Sequence, residues 1–249
     1  MPISRSLELA RGGVAFSIGV QRDMSIWKSI VGFLAFGTAL TGCAPTVAVA
    51  SQVKIKDAPV PANASSLVVG GGCFWCVEVI LEDLKGVYAV ESGYAGGKNP
   101  APTYDQVLGG QTGHAEVVKV FFDPKTISAA DILHVFMVTH DPTTLNRQGP
   151  DSGTQYRSVI FYSSSDERAL AEKIKVEMKS VYKSPIVTTI EPLKNYARAE
   201  EYHQNYFAKY EKATPAERST MNSGYCSAII EPKVRKFREK YINMLKKKS

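Results

Sequence analysis

The stretch SLVVGGGCFWCVEVILEDLKG, Ser66 to Gly86, changes period in its middle. Ser66–Val69 is a short apolar run that ends in Gly70-Gly71-Gly72, which predicts a buried strand entering a tight turn. From Cys73 to Lys85 the spacing is helical, with Phe74, Val77, Ile80, Leu81 and Leu84 on one side and Gly86 as C-cap. A cysteine pair, Cys73 and Cys76, therefore opens the helix directly after a glycine turn.

Outward from this unit, Val87–Glu91 alternates like a strand and Gly93–Gly113 is a long glycine- and proline-rich loop, a length that usually carries function. Ala115–Phe122 reads as a strand closed by Asp123-Pro124. Ser128 and Asp131 form a capping box before a helix running to about Thr139. Asp141–Gln155 is a second long loop, Ser158–Tyr162 a strand, Asp166–Tyr182 a charged amphipathic helix and Ile186–Ile190 another strand. Glu200–Lys212 and Pro232–Lys247 read as further helices. Up to residue 162 the order is strand, helix, strand, strand, helix, strand. That is the split β-α-β order of an α+β, ferredoxin-like fold. It predicts one mixed or antiparallel sheet covered by helices, with C-terminal extensions around it. Without an internal repeat or linker, residues 66–249 read as one domain.

Composition supports a globular chain: 44% hydrophobic and 22% charged residues exclude collagen-like, low-complexity and wholly disordered classes. The net charge of +6 has no block resembling a nucleic-acid arm, and Lys246-Lys247-Lys248 reads as a solvated helix end. The N-terminus differs in kind. Residues 24–50 read MSIWKSIVGFLAFGTALTGCAPTVAVA, with Lys28 ahead of an apolar region too short to span a bilayer comfortably. Leu40-Thr41-Gly42-Cys43 is similar to a bacterial lipobox, which makes Cys43 the expected lipidated residue; Ala48-Val49-Ala50 offers an ordinary signal-peptidase site instead. Residues 1–42 are thus read as a leader, with 1–23 an upstream extension before Met24, and 43–65 as a tether. Removal of the leader takes away Arg5, Arg11, Arg22 and Lys28 against Glu8 and Asp23, and the chain stays basic. The expectation is an exported protein of the bacterial cell envelope, held to a membrane through Cys43.

The chemistry centres on Cys73. A thiolate is the reactive form of cysteine, and free N–H groups at a helix start favour negative sulfur. Cys76, three residues on, is close enough for a disulfide, so the pair suits redox work. Half of a zinc site and two packed core cysteines are the competing readings. No second C-x-x-C and no H-x-x-H accompanies the first reading. The glycine turn lacks the phosphate-loop patterns.

Four blocks then carry a resemblance: Gly72-Cys73-Phe74-Trp75, Gly93-Tyr94-Ala95-Gly96-Gly97, Gly113-His114-Ala115-Glu116 and Asp151-Ser152-Gly153-Thr154-Gln155-Tyr156-Arg157-Ser158. Together, over about residues 66–240, the chain resembles the A-type peptide methionine sulfoxide reductases. The resemblance implies that Cys73 attacks the sulfoxide sulfur and becomes a sulfenic acid, with Glu116 as proton donor to the oxygen. It implies that the hydroxyls of Tyr94 and Tyr156 orient that oxygen, that Asp151 gives a supporting hydrogen bond, and that Phe74 and Trp75 line the pocket for the S-methyl group. Phe74 equally suits packing of the helix start. Arg157 is expected to stabilise its loop by pairing, and His114 to be structural.

The commoner family pattern has glycine where this chain has Cys76, so it resembles the C-F-W-C subgroup, and Cys76 is the first choice for the resolving thiol. Cys226, in Gly224-Tyr225-Cys226, aligns with a recycling cysteine that relatives carry on a glycine-rich tail. Here Ile229, Ile230 and a helix begun by Pro232 follow it, so Cys226 is either a second relay thiol or structural, and the relay is favoured. The resemblance further implies the S epimer as substrate, thioredoxin or a thioredoxin-like protein as reductant, and no metal or organic cofactor. No nucleic-acid partner is expected, and monomer is the default. A membrane-tethered thiol–disulfide oxidoreductase and a non-enzymatic lipoprotein remain the alternatives; neither needs Glu116, Tyr94 and Tyr156.

Overall fold

The computed structural model describes residues 59–247. The leader, Cys43 and most of the tether lie outside the described residues. The order of elements opens as expected: β1 (Ser65–Gly70), α1 (Phe74–Glu82), β2 (Val87–Ala95), α2 (Tyr104–Leu108), β3 (Ala115–Phe122) and α3 (Ala129–Thr139). A two-residue hairpin, β4 (Arg147–Gln148) with β5 (Asp151–Ser152), precedes β6 (Val159–Tyr162), α4 (Ser165–Met178), β7 (Thr189–Pro192), β8 (Ala197–Arg198), α5 (Tyr206–Lys212) and, near the end, α6 (Glu231–Lys240).

The main sheet has the order β7-β6-β1-β3-β2-β8. Its four central strands are antiparallel, and only β7 joins in parallel, after the α4 crossover from β6. This is the arrangement of a split β-α-β fold. Side chains alternate across the pleat. Val69, Val118, Val120 and Phe122 pack with α1 and α3 in the larger core, whereas Val68, Ala115, Val117 and Val159 form a smaller cluster. Glu116 and Tyr94 share the parity of the first set, and the β2–β3 register places them directly opposite each other. Period and register thus put a carboxyl and a phenol under α1.

Helix α1 is buried along nearly its whole length. Ile80, Leu81 and Leu84 are at most 1% exposed, each burial being worth about 1.5–3 kcal/mol. Gly72 at φ +91° turns the chain into the helix, and a Cβ there would lie 2.5 Å from the Gln148 side chain. The C-terminal end of α1 is held by the C-terminal segment. Arg238 pairs with Asp83 (Nε to Oδ2, 2.6 Å) and with Glu211, while Lys246 N–H donates to Asp83 O and Lys85 N–H to Met244 O, both at 2.8 Å.

Several expectations need correction. The Gly93–Gly113 region is not only a loop: β2 continues to Ala95, and Thr103 and Gln106 form a capping box that starts α2. The Asp141–Gln155 loop contains the β4–β5 hairpin and a 3-10 turn over Thr154–Tyr156. The strand expected at Ile186–Ile190 begins at Thr189, because Val187 N–H is taken by Pro142 O. The Pro232–Lys247 helix stops at Lys240, because the chain beyond it turns back to bond residues 83–85. The Glu200–Lys212 helix is broken: a 3-10 turn over Glu201–His203 is followed by Asn205 at φ +52°. The cause is Glu78 of α1, whose buried carboxyl accepts Asn205 N–H (3.0 Å), Tyr206 N–H (3.2 Å) and Ser92 Oγ–H (3.0 Å). A buried carboxyl must find donors, and the orphan N–H groups at the start of α5 supply two.

Candidate active site

The two cysteines meet at the start of α1. Cys73 is the N-cap residue and 1% exposed; Cys76, one turn on, is 4% exposed and donates its N–H to Cys73 O at 3.1 Å. The hydrogen bond between the two sulfur side chains, and then burial, push the Cys76 thiol well above the usual cysteine range. Cys76 therefore keeps its proton, and the sulfur it serves is Cys73, at the positive end of the helix dipole.

Glu116 is fully buried. Its Oε2 accepts the N–H of Phe74, the residue next to Cys73, at 3.1 Å, and its Oε1 has no protein partner. Desolvation drives its pKa well above 4.5, and the nearby Asp151 and Cys76 push the same way. The result is a protonated carboxyl beside a cysteine at a helix start. Tyr94 packs against Phe74 with ring centroids 5.9 Å apart, and its hydroxyl donates to Glu200 Oε2 at 2.7 Å. Tyr156 is buried on the 3-10 turn after β5. Asp151 is 2% exposed; Oδ2 accepts the Tyr225 hydroxyl at 2.6 Å, and burial raises its pKa above the usual range despite that bond.

The aromatic wall forms around Trp75, which stacks on Tyr206 at 3.7 Å and 7° and donates its indole N–H to His203 Nδ1 at 3.2 Å. Burial lowers the His203 pKa to about 4, so the ring is neutral and can accept that bond. Phe74 lies between Tyr94 and His203. Cys226 is fully buried in a π-helical turn, Cys226–Ile230, and burial pushes its thiol up to about 12. Its neighbour Tyr225 lies over Cys76, the hydroxyl 4.0 Å from Sγ. Cys73, Cys76, Cys226 and Glu116 are thus gathered around one helix start, together with Tyr94, Asp151, Phe74 and Trp75. Arg157 bonds Thr154 O and pairs with Glu191 at 3.5 Å. His114 is buried against Gly97, where a Cβ would lie 2.0 Å from its Nδ1.

Sequence reasoning missed Tyr225, His203, Tyr206 and Glu200. Tyr225 was visible as the neighbour of Cys226. The other three sit in Ala199–Tyr206, a polar and aromatic run that imitates an exposed helix and whose break is decided by Glu78 on another element. Among the described residues no helix is long and apolar enough to cross a membrane.

A buried dithiol at a helix N-terminus, faced by a protonated carboxyl and a closed aromatic wall, defines a cysteine-based oxidoreductase. Residues 65–245 match the family described as peptide methionine sulfoxide reductase. The chain is 43% identical over 197 residues to the peptide methionine sulfoxide reductase of Polynucleobacter asymbioticus, covering 78% of this chain and 97% of that one. It is 49% identical over 181 residues to the enzyme of Deinococcus radiodurans, covering 72% and 83%. Among solved structures it is similar to Mxr1 of Saccharomyces cerevisiae in reduced form, with a TM-score of 0.57 and 38% identity over 62% of this chain and 90% of that one. The methionine sulfoxide reductase A of Corynebacterium diphtheriae gives 0.55 and 32%, over 62% and 78%. The chain belongs to the peptide methionine sulfoxide reductase family, A type, and is an enzyme that reduces methionine sulfoxide.

Proposed function

We propose that the enzyme reduces the S epimer of methionine sulfoxide, free or in proteins, through Cys73. The Cys73 thiolate attacks the sulfoxide sulfur while Glu116 protonates the oxygen. The sulfur–oxygen bond of the substrate is lost, methionine leaves, and Cys73 carries the oxygen as a sulfenic acid. Cys76, which holds its proton at rest, then attacks the sulfenic sulfur; the Cys73–Cys76 disulfide forms and water leaves with that proton. Cys226 attacks Cys76 as a relay thiol, forming a Cys76–Cys226 disulfide and releasing Cys73 with the proton of Cys226, and a thioredoxin-like dithiol reduces that disulfide and is itself oxidised to one. On re-forming, the Cys73 thiol hands its proton to the Glu116 carboxylate, so the proton balance closes inside the site. Tyr94 and Tyr156 orient the oxygen, Asp151 supports the pocket, and Phe74 and Trp75 receive the S-methyl group. No metal or organic cofactor takes part in this sequence of steps.

The observation that carries the reading is the wholly buried Glu116 carboxyl, bonded to the N–H of the residue beside Cys73 and kept protonated by desolvation. Reduction of a sulfoxide needs a proton delivered to the departing oxygen, and Glu116 is the carboxyl held ready for it. We further infer from the Leu40–Cys43 pattern that the enzyme is exported to the bacterial envelope, lipid-anchored on Cys43, and repairs oxidised proteins there.

The test is turnover of separated epimers by the purified protein in dithiothreitol, counting methionine formed. The S epimer alone should react, and Cys73→Ser should abolish the reaction. No turnover of either epimer with Cys73 reduced, alongside reduction of insulin disulfides, would overturn the reading in favour of general disulfide exchange.

A further inference from the structure

Tyr94 cannot donate a proton in two directions. A phenol has one O–H, and here it is given to Glu200 Oε2 at 2.7 Å, the length of a charge-assisted O–H···O⁻ bond. The carboxylate is itself held from two sides: Oε1 accepts Tyr104 N–H at 3.0 Å where α2 begins, and Oε2 lies 3.8 Å from His203 Nε2. Burial alone would raise the Glu200 pKa, but its own backbone, Tyr94 and Tyr104 donate to it and hold it below the ordinary value. Burial and the adjacent Glu200 push Tyr94 far up. The pair is an ionised carboxylate and a neutral phenol throughout the neutral range. What Tyr94 offers its other neighbours is lone pairs, enriched by donation to a carboxylate.

We propose that Glu200 is a positioning residue for sulfoxide reduction that acts through Tyr94, fixing the phenol ring opposite Glu116 and controlling the direction of its single proton. This rests on the reading that Cys73 reduces methionine sulfoxide with Tyr94 at the oxygen. The acid proton then comes from Glu116, and Tyr94, with its own proton held on Glu200, orients the oxygen by accepting the O–H that forms there. The location of Glu200 suits this role: Gln204 bonds Ser92 N–H, Ser92 O and Ala199 O at 2.9 Å each, which ties the residue before Glu200 to β2 two residues from Tyr94.

The experiment is a mutant cycle on the full chain, read as the single-turnover rate of methionine formation with the S epimer. Wild-type turnover in the same assay keeps failure of the underlying function distinct from failure of this proposal. Glu200→Ala should slow the chemical step about tenfold with little change in half-saturating substrate, as loss of an orienting contact does. Glu200→Gln must keep its amide oxygen on Tyr104 N–H, which can only donate, and so turns its NH2 toward Tyr94; the phenol proton loses its acceptor, and this variant should be slowed as Glu200→Ala is, whereas a role confined to Tyr104 would leave it at the wild-type rate. In a Tyr94→Phe background neither change should cost more than about twofold, because residues acting as one unit are not additive. If Glu200→Ala fails to fold, Glu200→Asp, one methylene too short to reach Tyr94, enters the same cycle. Equal losses in both backgrounds would overturn the proposal and assign Glu200 to holding Tyr104; an unchanged rate in the wild-type background would overturn it outright.

Discussion

Glu78 shares α1 with Cys76, and its buried carboxyl accepts from Ser92, Asn205 and Tyr206. Burial, followed by repulsion from Glu82, raises its pKa from 4.5 to about 8, although Asn205, Ser92 and Tyr206 donate to it. A carboxyl whose folded pKa is raised contributes stability while it is protonated. That contribution is complete below about pH 4.5, is lost as pH climbs through about 8, and changes no further above. At about 1.4 kcal/mol per tenfold change in proton affinity, the loss is on the order of 5 kcal/mol. Glu78→Gln removes the charge and keeps the shape. Its amide oxygen can still accept from Ser92 and Asn205, but its NH2 group then faces the Tyr206 N–H, an unmet donor costing about 1–3 kcal/mol. The variant should therefore be less stable than the wild type at pH 4.5 and more stable at pH 9, by about 2–4 kcal/mol there. In thermal melts under reducing conditions this is a crossing of the two Tm curves, with a gap at pH 9 of about 5–15 °C. Glu116 and Asp151 also titrate upward, but they are present in both proteins and cancel in the difference. A difference between variant and wild type that stays constant from pH 4.5 to 9 would refute the account of Glu78 as a carboxyl charged at the expense of the fold.

Cys76→Ser should still release one methionine per enzyme, measured by quenched-flow, and fail in thioredoxin-driven cycling; unimpaired cycling would move the resolving role to Cys226. Glu116→Gln should slow sulfoxide reduction by about 10²-fold or more, the usual scale of a lost general acid, while alkylation of Cys73 by iodoacetamide proceeds at the wild-type rate. Gly97→Ala should lower stability in urea by about 1–3 kcal/mol, because its Cβ would collide with the buried His114 ring and force it to shift.

How much of the site was legible from sequence depended on range. The turn that carries Cys73 was legible, because a strand, a glycine at positive φ and a helix beginning at Cys73 are local events, and local propensity carried them. The strand Ala115–Phe122 was legible too, but that Glu116 lies on the buried face it shares with Val118 and Val120, against α1, was given by the sheet. The break at Asn205 was not legible, since it answers to Glu78, 127 residues away. Nor was the end of the last helix, which yields to hydrogen bonds with residues 83–85.

The sequence by itself thus determined the split β-α-β order, the position of Cys73 at a helix start, and the four blocks that mark the family. Those are properties of period, turn chemistry and residue type along a short span. Only the tertiary structure decided that Tyr94 donates to Glu200, that Tyr225 lies over Cys76 and bonds Asp151, that His203 is neutral beneath Trp75, and that Cys226 is enclosed in a π-helical turn. The reason is physical. A buried polar group must be satisfied by whichever partner the folded chain brings within about 3 Å, and that choice depends on the whole packing, which no local pattern encodes.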